Sequence, residues 1–155
     1  MHIIFKDITT LMQDKKAFRN SIDQLAKPFL KAKIEYVVGV EARGFIFGAP
    51  LAYKLGAGFV PVRKKGKLPY KTISREYAME YANNILEMHE DTIKPGEKVV
   101  IIDDVMAFGA TLEATCEMIE KLGGEIVGIG LLSNLKFLNS KESLKKYVIN
   151  TLIEY

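Results

Sequence analysis

The sequence of 155 residues predicts an α/β fold in which a doubly wound, mainly parallel sheet is flanked by helices. Short runs of apolar, mostly β-branched residues alternate along the chain with segments whose apolar residues recur at helical spacing. The most unusual polar residues follow two of the predicted strands, and ligands of doubly wound sheets bind at the carboxyl ends of strands. The length fits one domain, which we assign to residues 1–155.

The elements follow from apolar periodicity and from the positions of glycine and proline. Strands are expected at 36–40, 58–62, 85–89, 98–102, 126–132 and 147–153, with a short edge strand at 3–5. Helices are expected over 15–32, after residues 41–44 through about Leu55, and over 111–122. Pro28 should bend or end the first helix near Lys27, and Gly123 with Gly124 should end the last one. A helical or turn segment should join the last two strands.

Residues 63–81 have no regular periodicity and contain Gly66 and Pro69 among many cations. We interpret this segment as a polar loop: a flexible lid, a binding loop or a disordered segment. Its cations are Arg63, Lys64, Lys65, Lys67, Lys71 and Arg75. They could neutralise a highly charged phosphate, although composition alone fits a solvated run of surface charge equally well.

Composition argues against several classes of protein. The apolar content of 48% and charged content of 26% are typical of a soluble globular protein, and a formal charge of +3 is too small to indicate nucleic-acid binding. The N-terminus lacks a signal-peptide layout, and no apolar run approaches membrane-spanning length. The single cysteine, Cys116, suits a reducing compartment and falls on the helical repeat of Leu112 and Ile119. We expect a cytoplasmic protein with a buried structural thiol and with no nucleic-acid or membrane partner.

The stretch from Val99 to Thr111 predicts an anion site. Four apolar residues are followed by Asp103 and Asp104, and a loop containing Gly109 leads into a helix. Backbone N–H groups of the loop, with the helix dipole and the Thr111 hydroxyl, can surround a phosphate. The carboxylates can accept hydrogen bonds from sugar hydroxyls or hold magnesium through water. A phosphorylated sugar has this spacing of groups, whereas a lone aspartate here would more often be a turn or cap residue.

Five motifs, in order along the chain, resemble the adenine phosphoribosyltransferase family. They read FKDIT, EARGFIFG, RKKGKLP, MEY and VVIIDDVMAFGAT, and they begin at Phe5, Glu41, Arg63, Met79 and Val99. The last is similar to the phosphoribosyl-pyrophosphate (PRPP) motif of type I phosphoribosyltransferases. The resemblance implies the fold of that class and a homodimer. It also implies purine salvage, in which the phosphoribosyl group of PRPP passes to adenine with magnesium and gives AMP and pyrophosphate.

The resemblance assigns roles to the residues that would hold the phosphoribosyl group and the pyrophosphate. Asp103 and Asp104 would bind the ribose hydroxyls and hold magnesium indirectly, together with pyrophosphate. The 5′-phosphate would be held by the backbone of Ala107, Phe108, Gly109, Ala110 and Thr111. Arg43 would meet the pyrophosphate beside a non-proline cis peptide at the Glu41–Ala42 pair. Lys67, with Lys64 nearby, would also reach the pyrophosphate, and Arg63 would reach it from a neighbouring subunit.

The same resemblance assigns the residues around the base. Phe5 and Leu135 would sandwich adenine, while the backbones of Ile4 and Lys6 would read its edge. Glu80 would exchange a proton with the base; without its motif, Glu80 would more simply be a surface glutamate.

The chain departs from the family pattern near both ligands. Phe108 and Ala110 stand where the family has threonine and glycine, and Phe108 removes a hydroxyl expected to bond the 5′-phosphate. Such a loss costs roughly 1.5–3 kcal/mol, about ten- to a hundredfold in affinity. Asn134 replaces a common glutamate before Leu135. Beside adenine transfer we therefore consider an impaired nucleotide sensor, suggested by Phe108 and the short segment before Phe5, and a transferase for another purine.

Overall fold

Seven strands in the described part of the chain form one sheet. They are β1 (Tyr36–Val40), β2 (Gly58–Lys64), β3 (Thr72–Ala78), β4 (Asn83–His89), β5 (Lys98–Met106), β6 (Glu125–Asn134) and β7 (Ile149–Glu154). The computed structural model describes residues 8–78, 83–106, 109–134 and 141–154. The strand order is β3-β4-β2-β1-β5-β6-β7. The pairs from β2 to β7 are parallel, and β4 joins both β2 and β3 in antiparallel fashion.

Four α-helices accompany this sheet among the described residues: α1 (Thr9–Gln13), α2 (Lys15–Ala26), α3 (Arg43–Leu55) and α4 (Ala110–Lys121). The 3-10 turn Lys27–Phe29 contains Pro28, which confirms that the helix ends near Lys27. A second 3-10 turn, Glu142–Leu144, lies before β7. No helix in the described ranges is both long and apolar enough to cross a membrane.

The sheet separates two hydrophobic cores, which confirms the doubly wound arrangement. Residues of α2 and α3 pack with Val37, Val100 and Ile102 on one face. Residues of α4 pack with Val38 and Ile101 on the other face. Neighbouring residues of one strand enter different cores because successive side chains of a strand point to opposite faces. Cys116 is buried on the α4 side, and burial raises the pKa of its thiol to about 12, as expected for a structural cysteine.

The prediction of a loop over residues 63–81 is wrong in part. Arg63 and Lys64 belong to β2, and β3 occupies 72–78. β3 pairs with β4 from Thr72↔His89 to Ala78↔Asn83. Most of β3 is exposed, so it lacks the apolar alternation by which a strand is detected in sequence. Its structure comes from pairing with β4 rather than from its own periodicity.

Other boundaries also differ from the predicted ones. β5 extends to Met106 instead of ending at residue 102, so Asp103 and Asp104 lie within the strand rather than after it. The extension is paired with β6, which itself continues to Asn134. The last strand begins at Ile149 instead of Tyr147. The edge strand expected at 3–5 lies outside the described residues.

Candidate active site

The carboxyl-terminal halves of β1 and β5 bring the first predicted site residues together. β1 leads through Glu41 and Ala42, joined by a cis peptide bond as the resemblance implied, into α3 at Arg43. Arg43 Nε lies 2.8 Å from Asp104 Oδ2, with the arginine side chain 48% exposed and the aspartate 6% exposed. The structure therefore places a half-exposed cation over a buried carboxylate at the edge where doubly wound sheets bind ligands.

Asp103 lies beside this ion pair. Its Oδ1 accepts a hydrogen bond from the Asp104 N–H at 2.8 Å. Burial raises the pKa of Asp103 well above its ordinary value, and the charge of Asp104 raises it further; the Asp104 N–H and the Arg43 charge oppose this. Because two close carboxylates repel each other, hydroxyl donors or a cation entering the site would stabilise the pair.

The described part of the predicted phosphate-binding segment 107–111 has the backbone of an anion site. Gly109 has a φ of +80° and comes directly before α4, which has no side-chain cap at this end. A Cβ at Gly109 would lie 2.8 Å from Leu144 Cδ1, so glycine allows both the left-handed turn and the close approach. Ala110 and Thr111 are half-buried in the first turn of α4. Ala107 and Phe108 lie outside the described residues.

Glu41 is a residue for which sequence reasoning found no role. Its Oε2 accepts hydrogen bonds from Arg63 Nε and Nη2, both at 3.1 Å, and its Oε1 accepts one from the Lys64 N–H at 3.0 Å. Lys67 Nζ is 3.6 Å from Oε1. Burial raises the pKa of Glu41, but the hydrogen bonds and the charges of Arg63 and Lys67 lower it more, so the net pKa lies below its ordinary value. Glu41 therefore gathers three of the predicted pyrophosphate residues.

Glu87 holds the other side of the same segment. Its Oε1 accepts a hydrogen bond from the Gly66 N–H at 2.6 Å, and its Oε2 accepts one from the Thr72 hydroxyl. These bonds, together with the charge of Lys65, lower the pKa of Glu87 against a smaller opposing effect of burial. Two carboxylates thus hold the turn between β2 and β3.

The residues predicted to contact the base lie outside the described part of the chain: Ile4, Phe5, Lys6, Glu80 and Leu135. The strands on either side of Glu80 nevertheless have a defined direction. Lys64, at the end of β2, pairs with Leu86, and β4 continues past it to Asn83. Ala78 and Asn83, which flank 79–82, therefore extend beyond the end of β2 at the sheet edge that carries Asp103. Asn134 ends β6 at that edge.

Comparison with known proteins gives the family. A family model described as a phosphoribosyl transferase domain matches residues 6–152, nearly the whole chain. The chain belongs to the phosphoribosyl transferase family. The chain is 56% identical over 153 residues to the adenine phosphoribosyltransferase of Brachyspira hyodysenteriae, an alignment that covers 99% of this chain and 90% of the relative.

Solved members of the family have the same fold. The adenine phosphoribosyltransferase of Thermoanaerobacter pseudethanolicus superposes with a TM-score of 0.94 at 49% identity, covering 99% of this chain and 89% of that one. The Saccharomyces cerevisiae adenine phosphoribosyltransferase, solved with adenine and an imino-altritol bisphosphate, superposes with a TM-score of 0.86 at 35% identity. The matched portions are 97% of this chain and 86% of the yeast chain. The predicted fold class and family are confirmed.

Proposed function

We propose that this chain is an enzyme of purine salvage that transfers the phosphoribosyl group of PRPP to adenine, giving AMP and pyrophosphate. The observation that carries the proposal is the grouping at one sheet edge of the Asp103–Asp104 pair, Arg43 and the glycine-initiated start of α4. A sugar with a phosphate at one end and a diphosphate at the other matches this set of groups. The helix N-terminus suits the phosphate, the carboxylates suit the sugar hydroxyls, and the cations suit the diphosphate. Relatives that share more than half of the sequence carry the name of this activity.

In the proposed reaction the C1′–oxygen bond of PRPP breaks, and its electron pair leaves with pyrophosphate. Adenine N9 forms the new bond to C1′ and the base loses a proton. Charge at C1′ resembles an oxocarbenium ion, so catalysis depends on positioning and charge stabilisation. Asp103 and Asp104 would hold the ribose hydroxyls, and the backbone around Gly109 would hold the 5′-phosphate. Arg43, Lys64 and Lys67 would stabilise the leaving pyrophosphate. The resemblance gives Arg63 to the site of a neighbouring subunit, but Arg63 and Lys67 share Glu41 within one chain, so we propose that both serve the same pyrophosphate.

The base would be held by residues outside the described ranges. Phe5 and Leu135 would sandwich adenine, with the Ile4 and Lys6 backbones at its edge. Glu80 would exchange a proton with the base near adenine N7. Support for Glu80 comes from β3 and β4, whose paired ends Ala78 and Asn83 extend past the end of β2.

The carboxylates fit magnesium that enters with the diphosphate. Asp104 Oδ2 is buried, and although it is close to Arg43 Nε, no described donor makes a hydrogen bond to it. No cluster of three or more His, Cys, Asp or Glu side chains in the described ranges could hold a metal ion. Magnesium commonly keeps several waters and binds through one or two carboxylates plus substrate phosphates. When bound, the ion would neutralise charge on the leaving pyrophosphate.

We also propose a homodimer whose contact includes α3. Ile46, Ala49 and Tyr53 are exposed on one face of this helix, and Pro50 lies half-buried beside them. Tyr53 is 91% and Ile46 39% exposed, so this face presents two large apolar side chains to solvent together. The face begins one turn after Arg43, so a second copy would lie beside the candidate active site. We place the enzyme in the cytoplasm, as a single buried cysteine suits a reducing compartment.

The test is a competition between bases. Purified protein is incubated with PRPP, magnesium and an equimolar mixture of adenine, hypoxanthine and guanine, and the nucleotides are separated. We expect AMP to be the main product. If another nucleotide dominates, the chain serves a different purine; if no nucleotide forms at enzyme concentrations sufficient for one turnover, the enzymatic proposal fails.

A further inference from the structure

Three of the four cations proposed to receive pyrophosphate are already paired with carboxylates. Arg43 contacts Asp104, whereas Arg63 and Lys67 share Glu41. Arg63 uses both Nε and Nη2 on one oxygen of Glu41, and its Nη1 donates to the Lys67 carbonyl at 3.5 Å. The Nε–Nη2 edge of a guanidinium is well suited to gripping a phosphate or carboxylate. Glu41 therefore occupies the donors that a diphosphate would need.

The backbone holds this carboxylate in place. The Glu41 N–H donates to the Val62 carbonyl at 3.0 Å, and the Lys64 N–H donates back to Glu41 Oε1 at the same distance. The Glu41 side chain is only 13% exposed, while Arg63 is 34% and Lys67 50% exposed. The anion thus lies beneath two cations that solvent can reach, and a ligand approaching from solvent meets the cations first.

We propose that Glu41 is an internal counter-anion of the pyrophosphate subsite, which Arg63 and Lys67 exchange for the diphosphate when it binds. The inference rests on the proposed function, since it takes Arg63 and Lys67 as pyrophosphate ligands. Each of these cations has a limited number of donors, so contacts made to the diphosphate are taken from Glu41. The negative charge of Glu41 also repels the diphosphate at short range. Glu41 is thus a positioning residue that limits how tightly pyrophosphate is held.

The test compares two carboxylates of the same segment. Glu41→Gln keeps the size of the side chain and an oxygen that can accept from the Lys64 N–H, but removes the charge. We expect its dissociation constant for magnesium pyrophosphate, measured by calorimetry, to fall at least about threefold, the order that loss of one short-range charge repulsion produces. The KM for PRPP should fall as well. Structural damage would weaken pyrophosphate binding, whereas the proposal predicts tighter binding, so the two effects differ in sign.

Glu87→Gln is the matched control. Glu87 holds the same turn through Gly66 and Thr72 but makes no ion pair with Arg63 or Lys67 among the contacts of the described residues. We expect no tightening in this variant. Equal tightening in both variants would mean that general charge rather than Glu41 is responsible, and unchanged or weaker binding in Glu41→Gln would overturn the proposal.

Two further measurements separate this inference from the proposed function. If an Arg63→Ala, Lys67→Ala double variant binds pyrophosphate as well as the unaltered protein, the proposed subsite itself is wrong. If binding weakens as expected but Glu41→Gln does not tighten it, only the counter-anion role fails. The Nε–H resonance of Arg63, followed by NMR in the unaltered protein, should move when pyrophosphate is added. A resonance that stays in place at saturation would overturn the exchange without needing a Glu41 variant.

Discussion

Gly44 is the residue whose lack of a side chain most directly shapes the candidate active site. A Cβ at this position would lie 2.9 Å from the Ile102 carbonyl oxygen and 3.4 Å from Asp103 Oδ1. The first of these neighbours is backbone within a paired strand, so it has little room to shift. Glycine therefore allows the start of α3, with Arg43, to approach β5 closely enough for the contact with Asp104.

The Gly44→Ala variant should lose kcat/KM by roughly ten- to a hundredfold, because displacing Arg43 by a fraction of an ångström or more misplaces the charge proposed to act on the leaving group. Initial-rate assays at varied PRPP would measure this loss. Gly48→Ala is the control, because Gly48 lies in the same helix and its Cβ would meet the Phe59 ring of β2 at 2.8 Å, with no part of Asp103 among its near neighbours. Both changes should lower stability through overpacking. Equal losses of activity would show that strain in α3, and not the approach to β5, is responsible.

Single residues were predictable from sequence where their partners are neighbours in the chain. Asp103, Asp104 and the start of α4 form one continuous motif, and strand, loop and helix bring them together without distant contacts. Glu41 could not be assigned in this way. Its partner Arg63 is 22 residues away, and their contact depends on the parallel register of β1 and β2, which periodicity does not define.

At the scale of elements, α2 shows how a local signal fixes a helix boundary. Asp14 precedes the helix in an extended conformation, and its Oδ1 accepts hydrogen bonds from the Lys16 and Ala17 N–H groups, both at 3.0 Å. These bonds satisfy two donors that the first turn cannot pair internally. The apolar face of the helix then buries Ile22 and Leu25 against the sheet.

Asp14→Ala should reduce the free energy of unfolding by about 1 kcal/mol, the usual cost of losing an N-cap side chain. For a domain of this size the melting temperature should fall by roughly 2–4 °C, which calorimetry or circular dichroism can follow. Asp14→Ser keeps a capping oxygen and should retain most of the stability. A serine variant as unstable as the alanine variant would argue that the cap is not the cause.

The elements that sequence analysis missed are those formed by pairing with distant strands. β3 is mostly exposed and has charged residues at Arg75 and Glu76, so only its register with β4 reveals it as a strand. β5 was predicted too short because its last residues include two aspartates, which are uncommon in buried strands. Pairing with β6 gives the backbone N–H and C=O groups of this extension their hydrogen-bond partners despite the acidic side chains. By contrast, β1 has its own apolar run and was predicted with the correct bounds.

For the whole molecule, the exposed face of α3 predicts the assembly. Light scattering at micromolar concentration should give twice the chain mass of 17.4 kDa for the unaltered protein. Tyr53→Glu should shift the mass toward that of one chain, because a buried charge at an apolar contact is costly. Tyr70→Glu is the control, since Tyr70 is similarly exposed, at 93%, but lies in the turn between β2 and β3. A monomeric unaltered protein, or a dimer indifferent to Tyr53→Glu, would exclude this interface.

The two hydrophobic cores on opposite faces of the sheet support different parts of the candidate site. Arg43 begins a helix that rests on the core with Phe47 and Leu51, whereas Gly109 precedes a helix that rests on the core with Leu112 and Met118. Substitutions in separate cores with no shared contacts have nearly additive effects. Substitutions beneath α3 can therefore shift Arg43 without moving Gly109 and the start of α4. In the proposed reaction, release of pyrophosphate and binding of the sugar phosphate would then depend on different sets of buried residues.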